Sequence, residues 1–273
     1  MATIPASPSE SPKRQPDQRR PANDPGLRQP PPQKKSFLDT LVSEATEATT
    51  PAEKVYVYEA PVRLWHWANA LCIIVLCITG YLIGSPLPSM PGEASDHFLF
   101  GNIRMAHFIA GEIMAIAFLG RIYWAFMGNH HARQIFLLPV WSKKWWREVW
   151  HEIRWYSFAA KTPKKYVGHN PLAQLAMFTL LVVPLVLQIL TGFALYAEGQ
   201  GTDTWWFSAF GWVFGLFGNN SFAVHTYHHL VMWLIVLFTM VHIYVAIRED
   251  IMSRQSLIST MISGWRYFKD DRE

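Results

Sequence analysis

Residues 222–247 read FAVHTYHHLVMWLIVLFTMVHIYVAI, an apolar run without one acid, lysine or arginine. As a helix it is long enough to cross ~30 Å of hydrocarbon. An ionisable side chain is costly inside a membrane span, so each histidine in it is first a candidate for function. His228 and His242 stand 14 residues apart. At ~100° per residue the second returns to within about 40° of the first, roughly 21 Å further along the axis. The neighbouring His225 and His229 fall about 100° and ~220° from His242, so only His228 shares its face.

The rest of the chain divides sharply around this feature. Half of the 273 residues are hydrophobic (51%) and 15% are aromatic, yet the N-terminal part holds most of the prolines and no sustained apolar run. Residues 1–53 cannot bury enough surface to offset the entropy of ordering, and they read as a disordered cytoplasmic tail. Within it Arg19-Arg20 lacks the apolar segment an export signal requires, and Phe37, Leu38, Leu41 and Val42 mark at most one amphipathic turn. Residues 54–273 form the second domain.

Four segments of this domain are long and apolar enough to span: about 62–84, 103–127, 171–197 and 222–247. The expected fold is an all-α membrane protein, a four-transmembrane-helix bundle. Two further stretches, Trp205–Phe217 and Ile135–Trp155, are too short or too charged to cross. Their tryptophans suit helices lying at the membrane surface. The connection between the second and third spans carries Arg133, Lys143, Lys144, Arg147, Arg154, Lys161, Lys164 and Lys165. Arg248, Arg254, Arg266, Lys269 and Arg272 come after the fourth span, whereas the connections 85–102 and 198–221 hold only Glu93, Asp96, Glu198 and Asp203 as charges besides histidine. The positive sides are expected to be cytoplasmic, with both termini inside, in a bacterial inner membrane. The net charge of +4 is thereby explained by topology, and no nucleic-acid partner is called for.

Depth pairs the histidines. Taking the middle of each span as the membrane centre, His66 lies ~10 Å and His242 ~9 Å toward the cytoplasm, while His107 and His228 each lie ~12 Å toward the outside. Two imidazoles at one depth suit the axial positions of a haem iron, so the pattern points to two b haems. His66 and His242 would serve the inner one, and His107 and His228 the outer one. With only Cys72 and Cys77, both in the first span, and no C-x-x-C-H sequence, neither covalent haem attachment nor an iron-sulfur cluster is available.

Other positions repeat the interval. Gly80 follows His66 by 14 residues and offers space at the depth of the other haem, and Arg121 follows His107 by 14, placing a cation where a propionate could meet it. Gly111 and Gly192 could let a macrocycle approach backbone, although small residues also serve helix packing. Glu112 sits ~5 Å from the centre of the second span and is expected to be protonated or hydrogen-bonded across the bundle. His97, His130, His131, His151 and His169 lie in the connections and are expected to be solvated or interfacial.

Four motifs now carry a resemblance: Arg63-Leu64-Trp65-His66-Trp67, Arg104-Met105-Ala106-His107 with Gly111, Arg121-Ile122-Tyr123-Trp124-Ala125-Phe126, and His225-Thr226-Tyr227-His228-His229-Leu230. Together, over about residues 53–270, they resemble the b-type cytochrome subunit of membrane-bound nickel-iron hydrogenases. The R-x-x-H-W opening is shared more loosely with the cytochrome b subunit of formate dehydrogenases. The resemblance implies a membrane anchor that takes electrons from hydrogenase small and large subunits on the periplasmic face and delivers them to quinone. Catalysis on hydrogen would belong to the partner, since this chain has no nickel-binding cysteine motif. A formate dehydrogenase subunit, a stand-alone quinol-oxidising cytochrome and a haem-free membrane protein are the competing expectations. By position, quinone is expected near the inner haem, around Arg63, the surface helix Trp145–Trp155 or Arg248, and Trp205, Trp206, Phe207 and Phe210 are expected to form an apolar platform for the partner.

Overall fold

The structure, a computed structural model, describes residues 54–88, 92–93 and 97–268. The tail 1–53, with Arg19-Arg20 and the turn expected at Phe37–Val42, lies outside the described residues, as do Asp96, Lys269 and Arg272. In chain order the elements are β1 (Lys54–Tyr56), α1 (Ala60–Gly84), α2 (Leu99–Met127), α3 (His130–Arg133) and α4 (Lys143–Tyr156). Then come α5 (Pro171–Gln200), α6 (Trp205–Phe210), α7 (Trp212–Leu216), α8 (Ser221–Met252), α9 (Leu257–Ser263) and β2 (Trp265–Tyr267).

The four long helices are α1, α2, α5 and α8, each apolar enough to cross a membrane. Their starts follow local chemistry. Pro61 and Pro171 occupy first turns, where a missing N–H costs nothing. Asn170 and Asn220 cap α5 and α8 by accepting from the backbone N–H of Ala173 and Ala223. Within α5 the turn Phe178–Val182 is π-helical, and Val183 N–H reaches back five residues to Phe178 O. The cause is Pro184, which has no proton for the usual i−4 bond and pushes the ladder out of register.

Helix α1 packs along α2 and α5 along α8, and α8 joins the two pairs through α1. The midplane core is Cys72, Met114, Phe118, Val182 and Leu185, closed by Ile135. In hydrocarbon such contacts gain from close packing rather than from release of water. Leu64, Ile78, Ile116, Phe222, Leu237 and Met240 are more than half exposed around the outside of the bundle. Spans that are apolar all round need lipid as their solvent, so this is a multi-pass, four-helix membrane protein.

Both ends of the described chain meet on one side. β1 and β2 pair antiparallel, with Lys54 opposite Tyr267, Val55 opposite Arg266 and Tyr56 opposite Trp265. Arg266 is buried and donates to the carbonyls of Tyr166 and Gly168, at 2.8 Å each. The stretch 135–155, expected as one surface helix, is helical only from Lys143, because Pro139 interrupts it and Ser142 caps α4 by accepting from Trp145 N–H. Helix α4 buries Trp145, Val149, Glu152 and Trp155, one stripe at helical spacing. The fully buried Trp145 fixes α4 to the foot of α5 by donating its indole N–H to Gln174 Oε1 at 3.3 Å.

Two connection histidines, expected to be solvated or interfacial, are partly buried at this end of the bundle. His169 stands 3.1 Å from the Tyr58 hydroxyl, and burial, with the charge of Arg266 added, holds its pKa well below the usual histidine value. His131 is pushed down to about 4 by burial, by His130 and by Arg266. His131 lies in α3 and His169 just before the cap of α5, and both stand near Arg266 of β2.

Candidate functional site

The four span histidines converge in two couples. His66 of α1 faces His242 of α8 with ring centroids 6.3 Å apart, and His107 of α2 faces His228 of α8 at 6.5 Å. Two imidazoles bound to one metal through nitrogen, at about 2.0 Å per bond plus ~1.1 Å from nitrogen to ring centre, would stand ~6 Å apart. Both couples have that separation. Among the described residues no group of three or more His, Cys, Asp or Glu gathers as a metal site.

The His107–His228 couple, named outer for its expected side as His66–His242 is named inner, opens on a cavity of about 990 Å³ lined by His107, His228, Gly80, Gly111, Gly192 and Glu112 among others. That is the upper end of the range for small-molecule and cofactor sites, and room enough for a porphyrin. A Cβ on Gly111 would meet nothing within 4 Å, whereas one on Gly80 would lie 3.1 Å from His107 Cε1 and one on Gly192 3.3 Å from His228 Cε1. Gly80 therefore gives room to the histidine ring itself. No hydrogen bond crosses the bundle to Glu112 from the described residues, and it lines the cavity instead.

Both outer rings are anchored by hydroxyls that the sequence did not single out. Thr79 Oγ1 is 2.9 Å from His107 Nδ1, and Thr191 Oγ1 is 2.8 Å from His228 Nδ1. Each threonine also donates to the carbonyl one turn back, Val75 or Leu187, at 2.6 Å. A hydroxyl has one proton, so toward the ring it must accept. Both imidazoles thus carry hydrogen on Nδ1 and present the Nε2 lone pair. Of the nearby histidines, His225 stays with its own helix, 3.0 Å from Ser221 O, and His229 packs against Gly84.

At the inner couple the sign of the problem reverses, because buried groups lack partners there. Among the described residues His66 Nδ1, Trp65 Nε1 and Asn69 Oδ1 have none. Arg121 is almost fully buried, with its guanidinium 5.5 Å from the Trp65 ring and 5.2 Å from Phe136. Its Nη2 donates to Ala132 O, but Nε and Nη1 are unpartnered among the described residues. A buried guanidinium with two idle donors fits a ligand carboxylate. Arg248 is instead committed, donating to Glu249 at 2.8 Å and to Trp155 O at 3.1 Å. Arg63 donates to Ile262 O.

At the opposite end Trp206 and Phe210 turn inward onto Phe193 and Tyr196 of α5, and Phe207 stacks on Phe214. Of the four residues expected to form a platform, Trp205 remains mostly exposed, joined by Trp212 and Leu216.

The family described as prokaryotic cytochrome b561 matches residues 57–264, which include all four histidines. The chain is 66% identical over 218 residues to a protein of Azotobacter vinelandii named as a probable Ni/Fe-hydrogenase B-type cytochrome subunit, covering 80% of this chain and 90% of that one. A Rhizobium leguminosarum bv. viciae protein of the same name is 59% identical over 233 residues, 85% of this chain and 97% of its own. One from Escherichia coli K12, named for hydrogenase 1, is 51% identical over 217 residues, 78% and 91% of the two chains. Paired span histidines, four apolar helices and a match across most of its length place one conclusion on this chain: it belongs to the prokaryotic cytochrome b561 family.

Proposed function

We propose that this chain is a dihaem cytochrome b that anchors a periplasmic nickel-iron uptake hydrogenase and carries its electrons to the quinone pool. The observation that carries the reading is the pairing of four histidines from three spans into two facing couples with centroids 6.3 Å and 6.5 Å apart. Haem b, when bound, supplies a one-electron ferric–ferrous couple. His107 and His228 would hold one group, near the outside, and His66 and His242 the other, near the cytoplasm. With both axial positions taken by imidazole, no open position remains for oxygen or substrate, which suits transfer rather than catalysis.

The chain's other residues support that division of labour. Arg121, with two idle donors, is available to an inner propionate, and Gly80 keeps the outer ligand ring free to settle. The exposed Trp205, Trp212 and Leu216 offer the hydrogenase small subunit an apolar seat, with the large subunit beyond it. The printed names of the relatives support a hydrogenase partner. Lysine and arginine on the side of the β1–β2 ribbon support cytoplasmic termini in a bacterial inner membrane.

The test is an optical difference spectrum on native membranes with and without the gene, comparing hydrogen with dithionite as reductant. A gene-dependent haem b band reduced by hydrogen is the expected result. A band reduced only by dithionite or another donor reassigns the partner, and no gene-dependent band rejects the haem reading.

A further inference from the structure

The two outer ligands are held by the same two-residue device on two different helices. On α1 it is Thr79-Gly80 and on α5 it is Thr191-Gly192. In each, the threonine oxygen accepts from Nδ1 of a histidine on the neighbouring helix, at 2.9 Å to His107 and 2.8 Å to His228. In each, the glycine lies under the same ring, where a Cβ would come within 3.1 Å or 3.3 Å of Cε1. The hydroxyl's own proton goes to its helix, to Val75 O or Leu187 O, which leaves its oxygen to accept from the ring. At the inner couple no counterpart exists for His66, whose Nδ1 has no partner among the described residues.

We infer that Thr79-Gly80 and Thr191-Gly192 are matched cradles that orient the two outer ligands and lower the reduction potential of the outer centre. The inference rests on the dihaem reading above and concerns how this chain tunes one of the two sites. A ligand imidazole that donates from Nδ1 is a more basic donor at Nε2, and its orientation and tautomer are fixed by the same bond. A more basic axial ligand favours ferric over ferrous iron, so the potential falls. Because both outer ligands carry the bond, the effects add at one iron. Electrons entering from outside would then run toward the less constrained inner couple.

The experiment is a redox titration, with haem content, of the cytochrome purified from native membranes with its partners. Thr79→Val and Thr191→Val keep the volume and remove the acceptor, while Thr79→Ser and Thr191→Ser keep the hydroxyl. The valine variants are expected to retain two haems and to shift one of the two midpoints upward, with a changed low-spin ferric signal for that haem only. The serine variants are expected to titrate as wild type. Two retained haems with both midpoints unmoved in the valine variants overturn the inference, as does a serine variant that shifts as far as valine. If a valine variant loses a haem, the serine variant decides: full retention at wild-type midpoints supports the hydroxyl, and equal loss overturns it. Failure of the underlying reading looks different, since His228→Ala would then keep both haems.

Discussion

His66 and His242 face each other from α1 and α8 with ring centroids 6.3 Å apart, although 176 positions separate them in the chain. The couple belongs to neither helix alone. Each ring therefore has value only while the other is present, and that sets the first expectation.

His66→Ala and His242→Ala are each expected to lose one haem, the same one, so the double variant loses no more than either single variant. His107→Ala and His228→Ala should behave likewise for the other haem, while His66→Ala with His107→Ala should lose both. Pyridine haemochrome content per purified chain measures this. A two-haem loss in the His66/His242 double variant would break the pairing.

Gly80→Ala places a methyl 3.1 Å from His107 Cε1, closer than the ring tolerates without moving. Disturbing the support of a metal ligand typically costs 10–100-fold in affinity, so outer-haem affinity is expected to fall about tenfold. Gly120, with nothing within 4 Å, is the control. Gly120→Ala should leave haem content unchanged and alter stability by no more than about 1 kcal/mol.

Glu152 provides the pH dependence. Its carboxyl is buried in α4, 3.2 Å from Tyr166 Oη and 3.2 Å from His151 Nδ1, and burial raises its pKa to about 7. The Tyr166 hydroxyl lies within reach of both Glu152 and Glu148, the latter at 3.0 Å, and its single proton can serve only one of them at a time, so this bond opposes the effect of burial only weakly. A raised carboxyl contributes stability that is full below its unfolded value and is lost as pH rises through about 7. Thermal stability of Glu152→Gln should therefore decline less than wild type between pH 4.5 and 8, by up to about 3 kcal/mol. Curves that stay parallel across this range would refute the assignment.

Arg266→Ala removes the donor shared by the carbonyls of Tyr166 and Gly168. Two buried, charge-assisted bonds at about 1.5 kcal/mol or more each put the cost near 3 kcal/mol. Limited proteolysis is the measurement: cleavage in the 157–170 segment should accelerate while the spans stay intact. Lysine at this position should not restore protection, because an ammonium on a flexible stem replaces a fixed fork poorly.

Much of the site was legible in the chain because membrane helices obey simple rules. A run such as 222–247 has one plausible conformation in hydrocarbon, its rise fixes depth, and depth alone pairs His66 with His242 and His107 with His228. Helix ends were less legible: α2 starts at Leu99, ahead of the apolar segment expected from about 103, because the helix runs on past the part that hydropathy marks. Thr79 and Thr191 escaped notice because a threonine in a span ordinarily bonds its own helix, and these do so while also accepting from a neighbour. His169 escaped because its partner Tyr58 lies 111 residues earlier, a contact that no local pattern announces. Arg121 was visible as a cation 14 residues after His107, but its aromatic walls, Trp65 and Phe136, come from other segments.

The β1–β2 ribbon also dates events in the life of the molecule. Strand β2 comes after the fourth span and β1 precedes the first, so the ribbon can zip only once all four spans have been synthesised. A nascent chain holds one bare strand edge through all of synthesis and covers it at the end. Closure of three residue pairs, Lys54 with Tyr267, Val55 with Arg266 and Tyr56 with Trp265, thus ties the start of the described chain to its last-made part.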